Sequence, residues 1–232
     1  MPSLPSPFHS RNHGLYAITP QNLPPDLLLA ACAAVLTGGC RWLQYRDKTA
    51  SLPTRRKNAQ ALRNLCHHHQ AMLIVNDNPA LAWEIGADGV HLGRDDGNLA
   101  DARRFLGDTA CIGVSCYADF ERARQLAAEG ANYLAFGAFF ASPTKPEAPP
   151  APLALLTRAR AELKLPVCAI GGITLDNAPQ TIAAGATLVA VISDLFGGLA
   201  ASTNNQTLPS RLAALTARAR AYQSLFNETQ PS

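Results

Sequence analysis

The sequence has few charged residues and no cysteine pattern typical of a metal site or a disulfide framework. Its six cysteines are scattered without a C-x-x-C pair, which indicates free thiols in a reducing cytoplasm. A net charge of +3 with 16% charged residues is too small to predict binding to nucleic acid or to a membrane surface. We therefore expect a cytoplasmic protein that has neither nucleic acid nor a membrane as a partner. Its oligomeric state, a homo-oligomer included, stays open.

Long apolar runs are absent as well. The most apolar stretch, 27–36, is too short to span a bilayer. Residues 1–13 lack the basic segment and apolar core of a signal peptide. We interpret 1–13 and 227–232 as flexible tails and 14–226 as one domain. No G-x-G-x-x-G motif follows the first predicted strand, which argues against a dinucleotide-binding fold.

Eight apolar runs alternate with segments of helical length. The predicted strands are Leu15–Thr19, Arg41–Tyr45, Ala71–Val75, Asp88–Leu92, Cys111–Ser115, Asn132–Phe136, Pro166–Ile170 and Thr187–Ile192. The predicted helices are Pro25–Thr37, Leu52–His69, Pro79–Ile85, Leu99–Leu106, Asp119–Glu129, Leu153–Leu163, Asp176–Ala184 and Pro209–Phe226. Residues 197–209 form the longest predicted loop. Eight β/α units in one chain favour a single-domain (β/α)8 TIM barrel over an open doubly wound sheet.

Polar side chains follow the predicted strands, and the carboxyl ends of barrel strands share one rim. Gln44, Arg46 and Lys48 alternate at the end of the second strand, so we expect them to project to one side. Two cations and an amide donor suit an anion with several oxygens. The alternative is a strand end with solvated charges.

Two carboxylates follow neighbouring strands. Asp77 comes directly after the third strand, and Asp96 lies just beyond the fourth. Adjacent parallel strands are about 4.8 Å apart, so these side chains can share one ligand. Mg²⁺ takes one or two carboxylates together with water and substrate phosphate oxygens. The sequence therefore predicts a Mg²⁺ site, with helix capping by either carboxylate as the alternative, although Asn78 already offers a good cap after Asp77.

The last strands suggest a phosphate site. Gly171-Gly172 and Ile192-Ser193 follow strands seven and eight, where backbone N–H groups of such barrels bind phosphate. Ser142-Pro143-Thr144-Lys145 adds hydroxyls and an ammonium after strand six, and the prolines around it predict a semi-rigid lid. Ordinary turns and a proline-rich surface loop are the alternatives.

Other polar residues are assigned no chemistry. We interpret His91 as a structural histidine rather than a ligand, and Arg218 and Arg220 as a solvated helix face. Ser115 has no evident His–Asp relay in the sequence, so no nucleophile constellation is present. An anion clamp, a metal site and a phosphate cradle without a nucleophile predict a ligand with two phosphorylated parts.

Six motifs, in order between about Leu15 and Ser193, resemble those of the thiamine-phosphate synthase family. They are Gln44-x-Arg46-x-Lys48, Asn76-Asp77, Gly86-Ala87-Asp88-Gly89-Val90-His91-Leu92-Gly93-x-x-Asp96, Gly113-Val114-Ser115, Pro143-Thr144-Lys145 and Ala169-Ile170-Gly171-Gly172-Ile173. Single pieces occur in other proteins, whereas the combination at family spacing is highly specific.

The resemblance implies a transferase that joins hydroxymethylpyrimidine diphosphate to a thiazole phosphate through a pyrimidine-methyl cation, releasing pyrophosphate. A carboxylated thiazole is an alternative second substrate. By analogy, Gln44, Arg46, Lys48 and Asn76 would hold the pyrimidine diphosphate, Asp77 and Asp96 the Mg²⁺, Ser115 and Lys145 the pyrophosphate, and Ser142, Thr144, Gly172, Ile192 and Ser193 the thiazole phosphate. The implied catalytic residues are Arg46, Lys48, Ser115 and Lys145.

The chain departs from the family pattern at several positions. Arg94-Asp95 stands where Gln-Glu is common, Ala138 replaces a proline, Ser142 replaces a threonine, and prolines follow Lys145 where glycine is usual. These changes concern the lid more than the substrate. Two alternatives stay open: a thiazole tautomerase-like enzyme, which needs no diphosphate clamp or metal pair, and a sensor that binds thiamine phosphate without turnover.

Overall fold

The computed structural model describes residues 13–95, 97–141, 150–200 and 207–227. Strands and helices alternate along these residues. The strands are β1 Gly14–Ile18, β2 Trp42–Tyr45, β3 Met72–Asn76, β4 Gly89–Leu92, β5 Cys111–Tyr117, β6 Tyr133–Phe136, β7 Val167–Ile170 and β8 Leu188–Val191. The helices are α1 Pro25–Thr37, α2 Leu52–His68, α3 Pro79–Ile85, α4 Leu99–Leu106, α5 Phe120–Ala128, α6 Ala154–Leu163, α7 Ala178–Ala183, α8 Ser193–Ala200 and α9 Leu208–Asn227.

The strands form a closed parallel barrel in sequence order, which confirms the predicted (β/α)8 architecture. Closure is made by β1 and β8, where Leu15 pairs with Val189 and Ala17 with Val191. Each strand is followed by a helix on the outside, as right-handed β–α–β connections require. The carboxyl ends of all eight strands therefore meet at one rim.

Local sequence signals determine several boundaries. Helices α1, α3 and α4 have the predicted bounds. Asn78 caps α3, because its Oδ1 accepts a hydrogen bond of 2.9 Å from the N–H of Leu81, and Gly86 ends α3 in the left-handed conformation. Helix α8 was not predicted, since its second half, from Gly197, was assigned to a loop.

The core has two layers that follow from the alternation of strand side chains. Alternate strand residues point into the barrel and pack around three aromatic side chains, Tyr16, Trp42 and Tyr133. The other strand residues point outward and pack against the helices. All six cysteines are buried free thiols, as expected for small apolar side chains in a core.

Helix α9 covers the seam where the barrel closes. Gln223 Oε1 accepts a hydrogen bond of 3.2 Å from the N–H of Leu15 in β1. The hydroxyl of Thr216 donates to the carbonyl of Ala34 in α1 at 3.0 Å. In the described residues, no helix is long and apolar enough to cross a membrane. Nearly all of the two predicted tails falls outside the described ranges, and the tails stay a prediction.

Candidate active site at the carboxyl rim of the barrel

The clearest polar pair at the rim joins the ends of β2 and β3. Lys48 Nζ lies 2.7 Å from Asp77 Oδ2, and the Asp77 side chain is 18% exposed. Asn76 Nδ2 donates to the same oxygen at 2.6 Å. Both of these contacts are made to Oδ2. The structure thus places a carboxylate and an ammonium together where the sequence predicted an anion and metal site.

The backbone holds Asp77 in a fixed position. Its φ is 60°, in the left-handed region that residues other than glycine seldom adopt, and its N–H donates to the carbonyl of His91 at 2.8 Å. Asn78, rather than Asp77, caps the following helix. The alternative that Asp77 caps this helix is therefore excluded, and its carboxylate lies at the carboxyl rim of the barrel without a capping role.

Gln44, Arg46 and Lys48 do not form a single row. Gln44 is buried inside the barrel, where its Nε2 donates to the Tyr16 hydroxyl at 2.8 Å. Arg46 turns toward the loop after β1, and its Nη1 donates to Gln21 Oε1 at 2.6 Å. Only Lys48 pairs with Asp77. The alternation predicted for these side chains ends with the strand, because β2 stops at Tyr45.

The turn after β2 is organised by Asp47. Its Oδ1 accepts hydrogen bonds from the N–H groups of Thr49 and Ala50, at 3.0 and 2.9 Å. Thr19 fixes the start of the turn, since its Oγ1 accepts from the N–H of Arg46 at 2.8 Å. These bonds present Lys48 to the rim on a short ordered segment rather than on a mobile strand end.

Ser115 stands near the end of β5, beside a change of register. The pairing of β5 with β6 shifts between Ser115 and Tyr117, and such an irregularity re-aims the side chains next to it. Arg122 Nε donates to the Ser115 carbonyl at 3.0 Å. The Ser115 hydroxyl lies 2.9 Å from His91 Nε2. Ser115 is thus fixed through both its backbone and its side chain.

A buried row of hydrogen bonds crosses the barrel from Gln44 to Ser115. The Tyr16 and Tyr133 hydroxyls are 2.8 Å apart, and the Tyr133 hydroxyl is 2.9 Å from His91 Nδ1. Burial lowers the pKa of His91 to about 4, although the charge of Asp77 opposes the change. His91 is therefore a neutral, fully bonded histidine, in accord with its interpretation as structural rather than metal-binding.

Sequence reasoning missed the two tyrosines of this row. Tyr16 and Tyr133 were included in apolar strands, and no role was given to their hydroxyls. The available signal was position: each occupies an inward-facing site of a buried strand, where a phenol hydroxyl needs a partner. A second signal is Gly113, because a Cβ there would lie 1.9 Å from Tyr133 Cζ.

The predicted phosphate site combines a glycine turn with the start of α8. Gly172 has φ +65°, and a Cβ there would lie 2.4 Å from the carbonyl oxygen of Ala141. Residue 172 must therefore be glycine for the two loops to approach. Helix α8 begins at Ser193, and the carbonyl of Ile192 accepts from the N–H groups of Leu195 and Phe196 at 3.2 and 2.9 Å. The first N–H groups of α8 point to the rim.

Helix α9 holds the start of α8. Arg218 Nε and Nη2 donate to the two carboxylate oxygens of Asp194 at 2.9 and 2.5 Å, and the Tyr222 hydroxyl donates to Oδ2 at 2.5 Å. Asp194 raises the pKa of Arg218. The interpretation of Arg218 as part of a solvated helix face is incomplete, since its side chain is 40% exposed but its guanidinium is paired with a carboxylate that is 14% exposed.

Four predicted site residues lie outside the described residues. They are Asp96, Ser142, Thr144 and Lys145. In the described ranges, no three His, Cys, Asp or Glu side chains gather as a metal site. Asp77 is the predicted metal ligand that can be located.

This fold and these side chains define a (β/α)8 barrel that carries a cluster of polar side chains at the carboxyl ends of its strands. The family model of thiamine monophosphate synthase matches residues 15–195. The chain belongs to this family, and it is an enzyme of thiamine biosynthesis.

Curated relatives agree with this assignment. The chain is 56% identical over 192 residues to a thiamine-phosphate synthase from Alcanivorax borkumensis, covering 82% of this chain and 88% of that protein. It is 55% identical over 188 residues to one from Thioalkalivibrio sulfidiphilus, covering 80% of this chain and 89% of that protein. A solved thiamine phosphate pyrophosphorylase from Pyrococcus furiosus superposes with a TM-score of 0.78 at 27% identity, covering 95% of this chain and 98% of that one.

Proposed function

We propose that the protein condenses 4-amino-2-methyl-5-hydroxymethylpyrimidine diphosphate with 4-methyl-5-(2-phosphoethyl)thiazole to give thiamine phosphate and pyrophosphate. The observation that carries the proposal is the connected set of rim groups, in which Lys48 bonds Asp77, and the backbone of Asp77 bonds that of His91, whose ring reaches Ser115. A cation after β2, a carboxylate after β3 and a hydroxyl in β5, with His91 of β4 between the last two, suit one polyphosphate.

The first chemical step is heterolysis of the carbon–oxygen bond to the diphosphate. The electron pair leaves with pyrophosphate, and a pyrimidine-methyl cation remains. Lys48, Arg46 and Lys145 would stabilise the departing charge, since unit charges ~4 Å apart interact by about 4 kcal/mol at an effective dielectric constant of 20. Each ~1.4 kcal/mol of stabilisation specific to the transition state raises the rate about tenfold.

The second step forms the new bond without a protein nucleophile. The lone pair of the thiazole nitrogen attacks the methyl carbon of the cation, giving the thiazolium of the product. The predicted residues for the thiazole phosphate are Gly172, Ile192 and Ser193, together with Ser142 and Thr144. The N–H groups at the start of α8 support this assignment, because a helix N-terminus favours an anion.

The donor set at the rim fits Mg²⁺. Asp77 supplies hard carboxylate oxygens at the end of β3, and the Lys48 and Asn76 contacts are both made to its Oδ2. Asp77 and Asp96 would hold the ion together with oxygens of the diphosphate. When bound, Mg²⁺ neutralises charge on the leaving pyrophosphate.

The test is turnover by the purified full chain. Both substrates are mixed with Mg²⁺, and thiamine phosphate and pyrophosphate are measured with and without a chelator. Chelator-sensitive formation of both products in equal amounts is the expected result. Parallel reactions with the carboxylated thiazole phosphate establish which thiazole is preferred.

Two other outcomes correspond to the alternative functions. Binding of thiamine phosphate with no turnover at saturating Mg²⁺ would replace the synthase by a sensor. Interconversion of thiazole isomers in the absence of the pyrimidine diphosphate, with no condensation, would replace it by a tautomerase. Either result overturns the proposal.

A further inference from the structure

The buried row between Gln44 and Ser115 is a continuous chain of hydrogen bonds. Gln44 Nε2 donates to the Tyr16 hydroxyl at 2.8 Å, which is 2.8 Å from the Tyr133 hydroxyl. The Tyr133 hydroxyl lies 2.9 Å from His91 Nδ1, and His91 Nε2 lies 2.9 Å from the Ser115 hydroxyl. This row joins a residue assigned to the pyrimidine diphosphate with one assigned to the pyrophosphate.

Each of the three rings in this row is hydrogen-bonded to the next, and the two phenols keep their hydrogens. Burial raises the pKa of Tyr16 and of Tyr133 well above the ordinary value for tyrosine, so each phenol keeps its hydrogen. The His91 imidazole has one partner in this row at each ring nitrogen, the Tyr133 hydroxyl at Nδ1 and the Ser115 hydroxyl at Nε2. Each link therefore has one hydrogen, and the chain can run in only one direction at a time.

The orientation of Gln44 sets that direction. The Tyr16 oxygen accepts from Gln44 Nε2, so the Tyr16 hydrogen goes to the Tyr133 oxygen. The Tyr133 hydrogen then goes to His91 Nδ1, which must be the unprotonated nitrogen. The imidazole hydrogen is on Nε2, and it is donated to Ser115 Oγ.

We propose that Tyr16, Tyr133 and His91 are positioning residues that turn the hydrogen of the Ser115 hydroxyl toward the rim. Because Ser115 Oγ accepts from His91 Nε2, its own hydrogen is free to be donated to an oxygen of the leaving pyrophosphate. The reverse chain would give the opposite arrangement, in which Ser115 donates to His91 and offers the anion only lone pairs. This inference rests on the proposed function for the identity of the anion.

The barrel is built to hold this chain in place. The Tyr133 ring lies edge-on to Trp42, with centroids 5.3 Å apart, and stacks on His91 at 5.6 Å. Gly113 leaves the space for the Tyr133 ring, since a Cβ there would lie 1.9 Å from Tyr133 Cζ. A ring packed in this way keeps its hydroxyl between Tyr16 and His91 without cost in side-chain entropy at each turnover.

The tautomer of His91 is the direct test. The full-length protein is labelled with ¹⁵N-histidine, and the ¹⁵N chemical shifts of the ring nitrogens are recorded at neutral pH without ligand. The signal that disappears in the His91→Gln variant is assigned to His91. We expect the neutral form protonated on Nε2. A form protonated on Nδ1 would overturn the inference, even if the protein makes thiamine phosphate. Failure to make thiamine phosphate would overturn the proposed function and leave the tautomer result intact.

A double-mutant cycle gives a second test. Tyr133→Phe removes the hydrogen bond to Nδ1 and keeps the ring, so we expect loss of the single tautomer and a fall in kcat of about tenfold, the effect of one neutral hydrogen bond. KM for the pyrimidine diphosphate should change less. In a Ser115→Ala background the same substitution should change kcat less than about twofold. An equal fall in both backgrounds would show that Tyr133 does not act through Ser115.

Tyr222→Phe is the matched control for the spectrum. It deletes a tyrosine hydroxyl whose partner, Asp194, is not a member of the hydrogen-bonded row from Gln44 to Ser115. The His91 tautomer should be unchanged in this variant. A change there as large as that in Tyr133→Phe would indicate a general effect of removing a hydroxyl, and the assigned direction of the chain would be wrong.

Discussion

Lys48 and Asp77 form an ion pair across the ends of β2 and β3, with Nζ 2.7 Å from Oδ2. The ammonium is half exposed, so the pair by itself contributes little to stability. In the proposed function this pair has a positioning role, because a diphosphate that draws Lys48 toward its oxygens would leave the carboxylate of Asp77 available to a cation. The ion pair thus keeps both groups at the strand ends where the proposed function places the substrate anion.

The metal assignment is tested by Asp77→Asn. The amide removes one unit of negative charge from the site, so the Mg²⁺ concentration for half-maximal activity should rise about tenfold or more, and kcat should fall. Steady-state rates over a Mg²⁺ series give the first value, and calorimetry of Mg²⁺ with pyrophosphate gives a value independent of turnover. Asp101→Asn, at an exposed carboxylate on α4, serves as the control. The same Mg²⁺ dependence in Asp77→Asn and wild type would exclude Asp77 as a ligand.

The phosphate site is tested by a pair of substitutions at Ser193. Proline is tolerated at the first position of a helix and lacks an N–H, whereas Ser193→Ala removes only the hydroxyl. Ser193→Pro should raise KM for the thiazole phosphate more than Ser193→Ala does, with KM for the pyrimidine diphosphate nearly unchanged. Equal loss for both substrates, with a lower melting temperature, would point to misfolding instead.

Gly113→Ala tests how tightly the barrel interior is packed. The added methyl would meet the buried Tyr133 ring, and overpacking of this kind costs about 1–3 kcal/mol. Gly197→Ala is the control, since a Cβ there meets nothing within 4 Å and alanine favours a helix by up to about 1 kcal/mol. Denaturant unfolding should show a loss for the first variant and no loss for the second. Similar stabilities for the two variants would contradict the described position of Tyr133.

The lowered pKa of His91 predicts that the stability of the protein depends on pH. Burial lowers its pKa to about 4 in the folded protein, against the opposing effect of Asp77, while the unfolded chain titrates near ~6.5. Between these values the unfolded chain binds a proton that the folded protein does not. The free energy of unfolding should therefore fall by about 3 kcal/mol as the pH falls from ~6.5 to ~4. Above that window the contribution is complete.

The comparison that isolates this effect uses His91→Asn, which does not titrate. Unfolding curves at several pH values are measured for both proteins, so that the remaining carboxylates cancel in the difference. The wild type should lose more stability than the variant on acidification. Parallel curves would mean that His91 is as easily protonated in the folded protein as in the unfolded chain.

The sequence alone predicted the elements whose signals are local. Asn78 before Pro79 predicted the cap of α3, and eight apolar runs predicted the eight strands. Helix α8 was missed because Gly197 and Gly198 and the polar residues after them resemble a loop. Its formation depends on packing against α9, where Arg218 and Tyr222 bind Asp194, and that contact lies 24 and 28 positions away in the sequence.

The sequence predicted that Lys48 and Asp77 lie together, because each follows the end of one of two neighbouring strands. It did not predict contacts between side chains from strands that are distant in the sequence. Tyr16 and Tyr133 meet only because the barrel closes, and 117 positions separate them. In the apolar periodicity of the sequence both residues count as apolar strand residues. That periodicity predicts their strands correctly but gives no information about the hydrogen bonds of their hydroxyls.

The seam between β1 and β8 has a consequence for how the protein folds. It pairs Gly14 with Leu188, which are far apart in the sequence. Closing the seam therefore has a large entropic cost, because most of the polypeptide must be ordered before the two strands can pair. We expect the contacts that α9 makes beside that seam, from Gln223 to Leu15 and from Arg218 to Asp194, to form after this closure, on the late side of the folding barrier. Substitutions that weaken these contacts should therefore raise the unfolding rate and leave the folding rate nearly unchanged.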